Sequence, residues 1–332
     1  MKAGAHVCCI VLILLVVAGS AEGQAVISAK SGLINYVEGE VTLDGQQVEV
    51  KLNSVTQLKP SQVLKTGAGR AEVLLSPGVF LRAGEDSSLK LLSDEIVNTR
   101  LEMLEGSIIV ECVELPKDGS VTVLYKDATV VLGKKGLYRV DAEPAALRVY
   151  DGEATVRQGE QSQTIKKGWL LPLDGLLAAE KFDTKTGDAL LRWARRRAEY
   201  IAMANPAAAR MAWRDRQGFG SAVSSIWVYN PYLGMYTFVP RTGMYRSYWG
   251  YDYWSPGEVR VLYYPRVYRA PSSSAGWSRT GGAMSSRGYE GGPRTAAGTS
   301  GVAASSAPRA SEPSAGSVSV PRGTGSAGAR RR

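Results

Sequence analysis

Hydrophobic and polar residues alternate in short runs from Leu33 to Leu173, and turn residues break the runs every 8 to 12 residues or so. Leu33-Ile-Asn-Tyr-Val37 and Glu40-Val-Thr-Leu43 lead into Asp44-Gly45, a dipeptide suited to a type I′ hairpin, with Val48 and Val50 beyond it. Arg70-Ala-Glu-Val-Leu-Leu75 meets Ser76-Pro77-Gly78, which fits a type II turn, and Val79-Phe-Leu-Arg82 resumes the strand. Two more strands flank Glu105-Gly106. Others follow Asp118-Gly119, Lys134-Lys135-Gly136 and Asp151-Gly152. This pattern predicts a mainly β domain over residues 25–175, with many short antiparallel strands in a sandwich or a β-solenoid. No run of helical period precedes Thr184, so the glycines read as turn residues rather than as a phosphate loop opening a helix.

The period changes over residues 184–218. Leu190, Leu191, Ala194, Ala198, Ile201 and Ala202 recur on one helical face, with Arg192, Arg195, Arg196 and Glu199 on the other. Thr186 can cap this helix and Asp188 suits its first turn. Asn205-Pro206 is expected to end it and open a second helix, Ala207 to Gln217, closed by Gly218.

Residues 219–269 change character again. Between 227 and 268 lie 14 of the chain's 27 aromatic residues, spaced by Gly, Pro and Asn. Two roles fit. The rings can staple an irregular segment onto the β domain through their large apolar area. Alternatively, Trp227, Tyr229, Tyr232, Arg246, Trp249, Tyr253 and Trp254 form an exposed strip that stacks on sugar rings or meets another protein. Residues 270–332 are Ser, Gly, Ala, Pro and Arg, a composition expected to stay disordered.

Composition then narrows the chemistry. Met1 to Gln24 has a basic start, an unbroken apolar run from Val7 to Val17, and small residues after it, the order of a secretory signal peptide. Eleven apolar residues rise about 16 Å as a helix, roughly half a bilayer core, and no later segment could span one. Cleavage would remove Cys8, Cys9 and His6, the sole histidine. A mature chain without histidine excludes Ser-His-Asp and Cys-His nucleophile pairs and histidine metal sites. No catalytic, cofactor or metal residue is assigned, and Cys112 reads as a small buried hydrophobe. Charge divides the chain: residues 25–185 carry 19 Lys plus Arg against 23 acids, and residues 186–332 carry 20 Arg against 7 acids. That arginine excess suits an anionic glycan or polymer. Export argues against nucleic acid, and no RNA-reading motif accompanies the arginines.

The segment from Gly39-Glu-Val41 to Val156 resembles the FecR family domain. Val63-Leu-Lys-Thr-Gly-Ala-Gly-Arg-Ala-Glu-Val-Leu-Leu-Ser-Pro-Gly-Val-Phe-Leu-Arg82 carries most of the likeness, a Thr-Gly step, alternating small and apolar residues, then a glycine turn. Leu101 to Ile109, Gly136-Leu-Tyr-Arg-Val140 and Val149-Tyr-Asp-Gly-Glu-Ala-Thr-Val156 are similar to later family segments. The resemblance implies a periplasmic β domain that docks an envelope protein, senses or scaffolds. Better-known members relay transporter occupancy to a cytoplasmic sigma factor. This chain is expected to lack their preceding anti-sigma segment and, once mature, their transmembrane helix, so the expectation is a non-enzymatic exported protein, periplasmic or extracellular. The family motif transfers no ligand residue. A wall- or glycan-binding module remains the alternative.

Overall fold

The computed structural model describes residues 30–50, 55–175, 178–214 and 224–263. The expected signal peptide, the expected disordered tail and the stretch from Gln217 to Gly218 lie outside the described residues.

Strands β1 (Leu33–Leu43), β2 (Gln46–Gln47), β3 (Val63–Leu74), β4 (Val79–Ala83), β5 (Ser88–Ser93), β6 (Asn98–Glu105) and β7 (Ser107–Cys112) open the fold. Then come β8 (Ser120–Tyr125), β9 (Ala128–Leu132), β10 (Gly136–Ala142), β11 (Ala145–Asp151), β12 (Glu153–Gln158), β13 (Gln161–Lys166), β14 (Trp169–Pro172) and β15 (Glu180–Lys181). These form one mixed sheet that branches at β3. One arm runs β5-β6-β8-β9-β12-β13 and the other β4-β7-β10-β11-β14-β15, while β1 lies along the length of β3. Both arms contribute to a single apolar core. Leu89, Leu101, Val123, Val130 and Val156 come from the first arm, and Leu81, Val110, Val140, Leu147 and Leu171 from the second. The architecture is mainly β, and the shared core makes it a sandwich folded from one sheet.

Two turns form as their sequences dictate. Asp44 and Gly45 both take positive φ, 49° and 79°, as a type I′ turn requires. Val79 N–H donates to Ser76 O at 2.8 Å with Gly78 at φ 89°, giving the expected type II turn. Gly106 and Gly152 behave differently. Asp151-Gly152 does not pair the strands on either side: β11 lies in the second arm and β12 in the first. Gly106 likewise carries the chain from β6 to β7, from the first arm to the second. Both have positive φ, and an added Cβ would lie 2.3 Å from Ser87 Oγ at Gly106 and 2.3 Å from Lys135 O at Gly152. They are corners between layers, where only glycine lets two backbones meet. Because β7 sits in the opposite layer, residues 106–119 form a crossover and β8 returns parallel to β6, the exception in an otherwise antiparallel sheet.

Helix α1 (Ala189–Arg214) covers the outer face of the second arm. Asp188 Oδ1 accepts the Leu191 N–H at 2.9 Å, so Asp188 is the cap; Thr186 instead donates to Asp183. The expected break at Asn205-Pro206 does not occur: the helix continues through Pro206. Asn205 is buried and its side chain faces outward from the helix onto other elements. It donates to Phe238 O at 2.8 Å and Trp254 O at 3.1 Å, and accepts from Trp254 N–H at 2.8 Å. These tertiary bonds and the buried Ala204, Ala208 and Ala209 outweigh the proline penalty.

Beyond the helix, β16 (Ile226–Asn230) pairs with β17 (Met235–Val239), and β18 (Met244–Arg246) with β19 (Asp252–Trp254), ahead of α2 (Pro256–Tyr263). Side-chain donors tie the β16–β17 hairpin to helix carbonyls: Thr237 Oγ1 reaches Ile201 O at 2.6 Å and Asn230 Nδ2 reaches Ala204 O at 3.1 Å. Among the described residues, no helix is long and apolar enough to cross a membrane.

Candidate functional site

Most of the aromatic candidates face inward. Trp227 and Tyr253 are fully buried, which removes both from any surface strip. They close with Phe80 and Phe238 into one ring cluster. Phe80–Trp227 centroids lie 5.2 Å apart, edge on, and Phe238–Tyr253 5.4 Å. Tyr229 is half-buried against Tyr236 at 5.1 Å, and Trp249 is half-buried against Tyr248 at 4.9 Å. Trp254 is half-buried against the cluster of Ala208, Ala209 and Val259. Arg246 is exposed and paired bidentately with Asp252 at 2.6 and 3.0 Å. Tyr232 alone of the seven stands clear of the protein, 86% exposed at the β16–β17 turn. The set therefore forms no continuous platform for sugar rings; its main work is to seal the outer face of the second arm.

Beneath that seal lies a group of charges. Glu72 on β3, Arg82 on β4, Glu111 on β7 and Arg197 on α1 are all buried. Arg82 Nε donates to Glu72 at 3.0 Å and its Nη1 to Glu111 at 2.8 Å. Arg197 Nη2 reaches Glu72 at 2.9 Å, as does Asn35 Nδ2 at 3.0 Å. Arg197 also lies 4.0 Å from the centre of the Tyr36 ring. Burial works against the Glu72 carboxylate, but Arg197 and Arg82 outweigh it and hold its pKa below the usual value. Burial pushes Glu111 up, and Arg82 offsets only part of that rise. Both carboxylates are committed to guanidiniums and sealed from solvent. The signal for this group was legible: Ala71-Glu72-Val73, Leu81-Arg82-Ala83 and Val110-Glu111-Cys112 each place one charge inside an apolar strand. An outer face left to water would have explained them equally well. Cys112 is buried in the sandwich core, and desolvation there pushes its thiol well up, which keeps it protonated and unreactive.

Concave surface remains at the seam between sandwich and hairpins. A groove of about 650 Å³ is lined on one side by Pro77, Ile96, Val97, Leu115 and Pro116. On the other side stand Ser225, Ile226, Thr242 and Tyr245, with Glu114, Lys117 and Arg241 also contributing. Glu114 holds the two sides together, accepting from Ser225 Oγ at 2.6 Å and from Tyr245 OH at 3.1 Å. Val97 in that lining is half-exposed to solvent. An apolar lining with a few fixed polar groups at a seam between substructures is the usual form of a recognition site. Sequence reading missed it because its walls lie more than a hundred residues apart. A second cleft, about 480 Å³, places Arg139 and Arg148 against Asp141 and Asp188, so its cations are already matched. No group of three or more His, Cys, Asp or Glu side chains among the described residues could hold a metal ion.

No family model matches this chain, and no curated protein matches it. Two crystal structures of a provisionally assigned anti-sigma factor from Parabacteroides distasonis are similar to it at 16% identity, with a TM-score of 0.33 in each case. The likeness covers 37% of this chain and 61% of theirs, so it spans less than two thirds of that protein and transfers no function.

Proposed function

We propose that this chain is a non-enzymatic, exported envelope protein whose FecR-like β-sandwich serves as a docking module for a protein partner. The observation that carries the reading is the apolar groove at the seam, with solvent-exposed Val97 in its lining and Glu114 bracing its walls. Its chemistry suits an apolar side chain from an extended segment of another envelope protein, with Lys117 at the rim available to an acidic neighbour. The committed state of Glu72, Arg82 and Glu111 supports a structural rather than a catalytic use of the buried charges.

A photo-crosslinking residue at position 97, in intact cells, tests this. The expected result is a discrete protein adduct that disappears when Leu115→Asp is added. Crosslinks to no protein, or an adduct indifferent to Leu115→Asp, would remove the groove as the docking site.

A further inference from the structure

The β16–β17 hairpin has two ends, and only its open end borders the groove. Its turn lies a five-residue strand away, roughly 17 Å. There Asn230 Oδ1 accepts from the N–H groups of Tyr232 and Leu233 at 3.0 and 3.3 Å, while Asn230 Nδ2 holds Ala204 O. The turn is thereby fixed beside the helical turn that carries Met203. Tyr232 (86%), Met203 (64%), Tyr200 (50%) and Leu233 (44%) are all exposed. Single exposed apolar residues are ordinary. Four large ones on a fixed hairpin tip and the adjoining helix form a patch that water does not favour.

Charge frames the same patch. On α1, Arg196, Tyr200, Met203, Ala207 and Arg210 recur at spacings of three and four, which places them in one stripe. Arg192 extends the stripe at one end and Arg214 at the other, and Glu199 is the helix's one acid. At the lower end Arg210, Arg214 and Arg260 line a pocket of about 200 Å³ beside Trp213, with Arg260 4.9 Å from the Trp213 ring centre.

We infer that this stripe is a contact surface for an anionic lipid bilayer. Tyr232, Leu233 and Met203 enter the boundary between headgroups and acyl chains, and the flanking arginines meet lipid phosphates. A soluble polyanion would use the arginines and leave the apolar tip in water. A neutral apolar partner would use the tip and offer nothing to Arg196 and Arg214. A bilayer with anionic headgroups satisfies both at once. The surface is separate from the groove and stands whether or not the groove docks a protein.

The test is co-sedimentation of the full chain with vesicles of phosphatidylcholine, with and without phosphatidylglycerol. The expected result is binding to the mixed vesicles, a loss of roughly tenfold in partitioning for Tyr232→Ser/Leu233→Ser, and a loss of roughly twenty-fivefold for Arg196→Gln/Arg214→Gln. Circular dichroism melts of both variants should match the unsubstituted chain, since these side chains face solvent. Equal binding to both vesicle types would overturn the proposal. So would mixed-vesicle binding unchanged in both variants, which would assign it to another part of the chain. Loss in the arginine variant alone, with soluble polyphosphate competing fully, would assign the surface to a polymer and overturn it too.

Discussion

Replacing Arg82 by methionine would leave Glu111 with no cation and Glu72 with only Arg197, all inside a dry layer. Breaking a buried ion pair from one side costs about 3–5 kcal/mol, because the remaining charge keeps its desolvation penalty. Urea denaturation should therefore show Arg82→Met as strongly destabilised, and a loss under 1 kcal/mol or so would mean that water reaches the group. The two carboxylates respond to acid with opposite signs. Glu72 has a folded pKa below its ordinary value of 4.5, so its stabilisation is complete above that value and is lost as pH falls through the folded pKa. Glu111, raised by burial, costs stability as pH rises from 4.5 through its folded value. Unfolding midpoints followed from neutral to acid pH should fall for the wild-type chain, and less steeply for Glu72→Gln. Parallel curves for the two proteins would locate the acid-sensitive group elsewhere.

At the scale of elements, Asn205 bonds α1 to both hairpins through three contacts. Asn205→Ala would strand two carbonyls and one N–H in a buried seam, a cost of about 3 kcal/mol. The measurable outcome is a lower unfolding midpoint; a change within error would show that the helix needs no such link. Asn205 also marks where local sequence stops deciding structure. Asp44-Gly45 and Ser76-Pro77-Gly78 formed as read, because their conformations depend on the few residues that make the turn. Asn205-Pro206 has equally strong local preferences, yet hydrogen bonds to Phe238 and Trp254 override them. Gly106 and Gly152 were legible as sharp backbone features but not as corners, since the strands they separate pair only with distant partners. The candidate site divides in the same way. The aromatic richness of residues 227–254 was plain, while the inward or outward aim of each ring depended on Phe80 and α1, which lie far away in sequence. Neither the groove nor the charge group has any local signature beyond isolated charges in apolar strands.

For the whole molecule, the second arm of the sheet is apolar on both faces, and its outer face depends on chain that follows the sandwich. Phe80, Leu74 and Val113 share a cluster with Trp227, Phe238 and Tyr253. Deleting residues 224–332 should bare that cluster and the charges beside it. We expect the shortened chain to bind a hydrophobic dye and to unfold over a broader range than the intact one. A sharp transition without dye binding would show that the sandwich is self-sufficient. The link between Asn35 and Tyr236 carries this dependence to its limit. Asn35 Oδ1 accepts the Tyr236 N–H at 2.8 Å across 201 residues of sequence. The first strand to be synthesised is thus among the last to be completed. Glu72, Arg82 and Glu111 can pair as soon as β3, β4 and β7 meet, but Arg197 and the rings that cover them lie on chain that follows, so the group is sealed only when that chain has folded back. The bond works as a clasp between β1 and β17, so the covering layer closes only once both ends of that span are present.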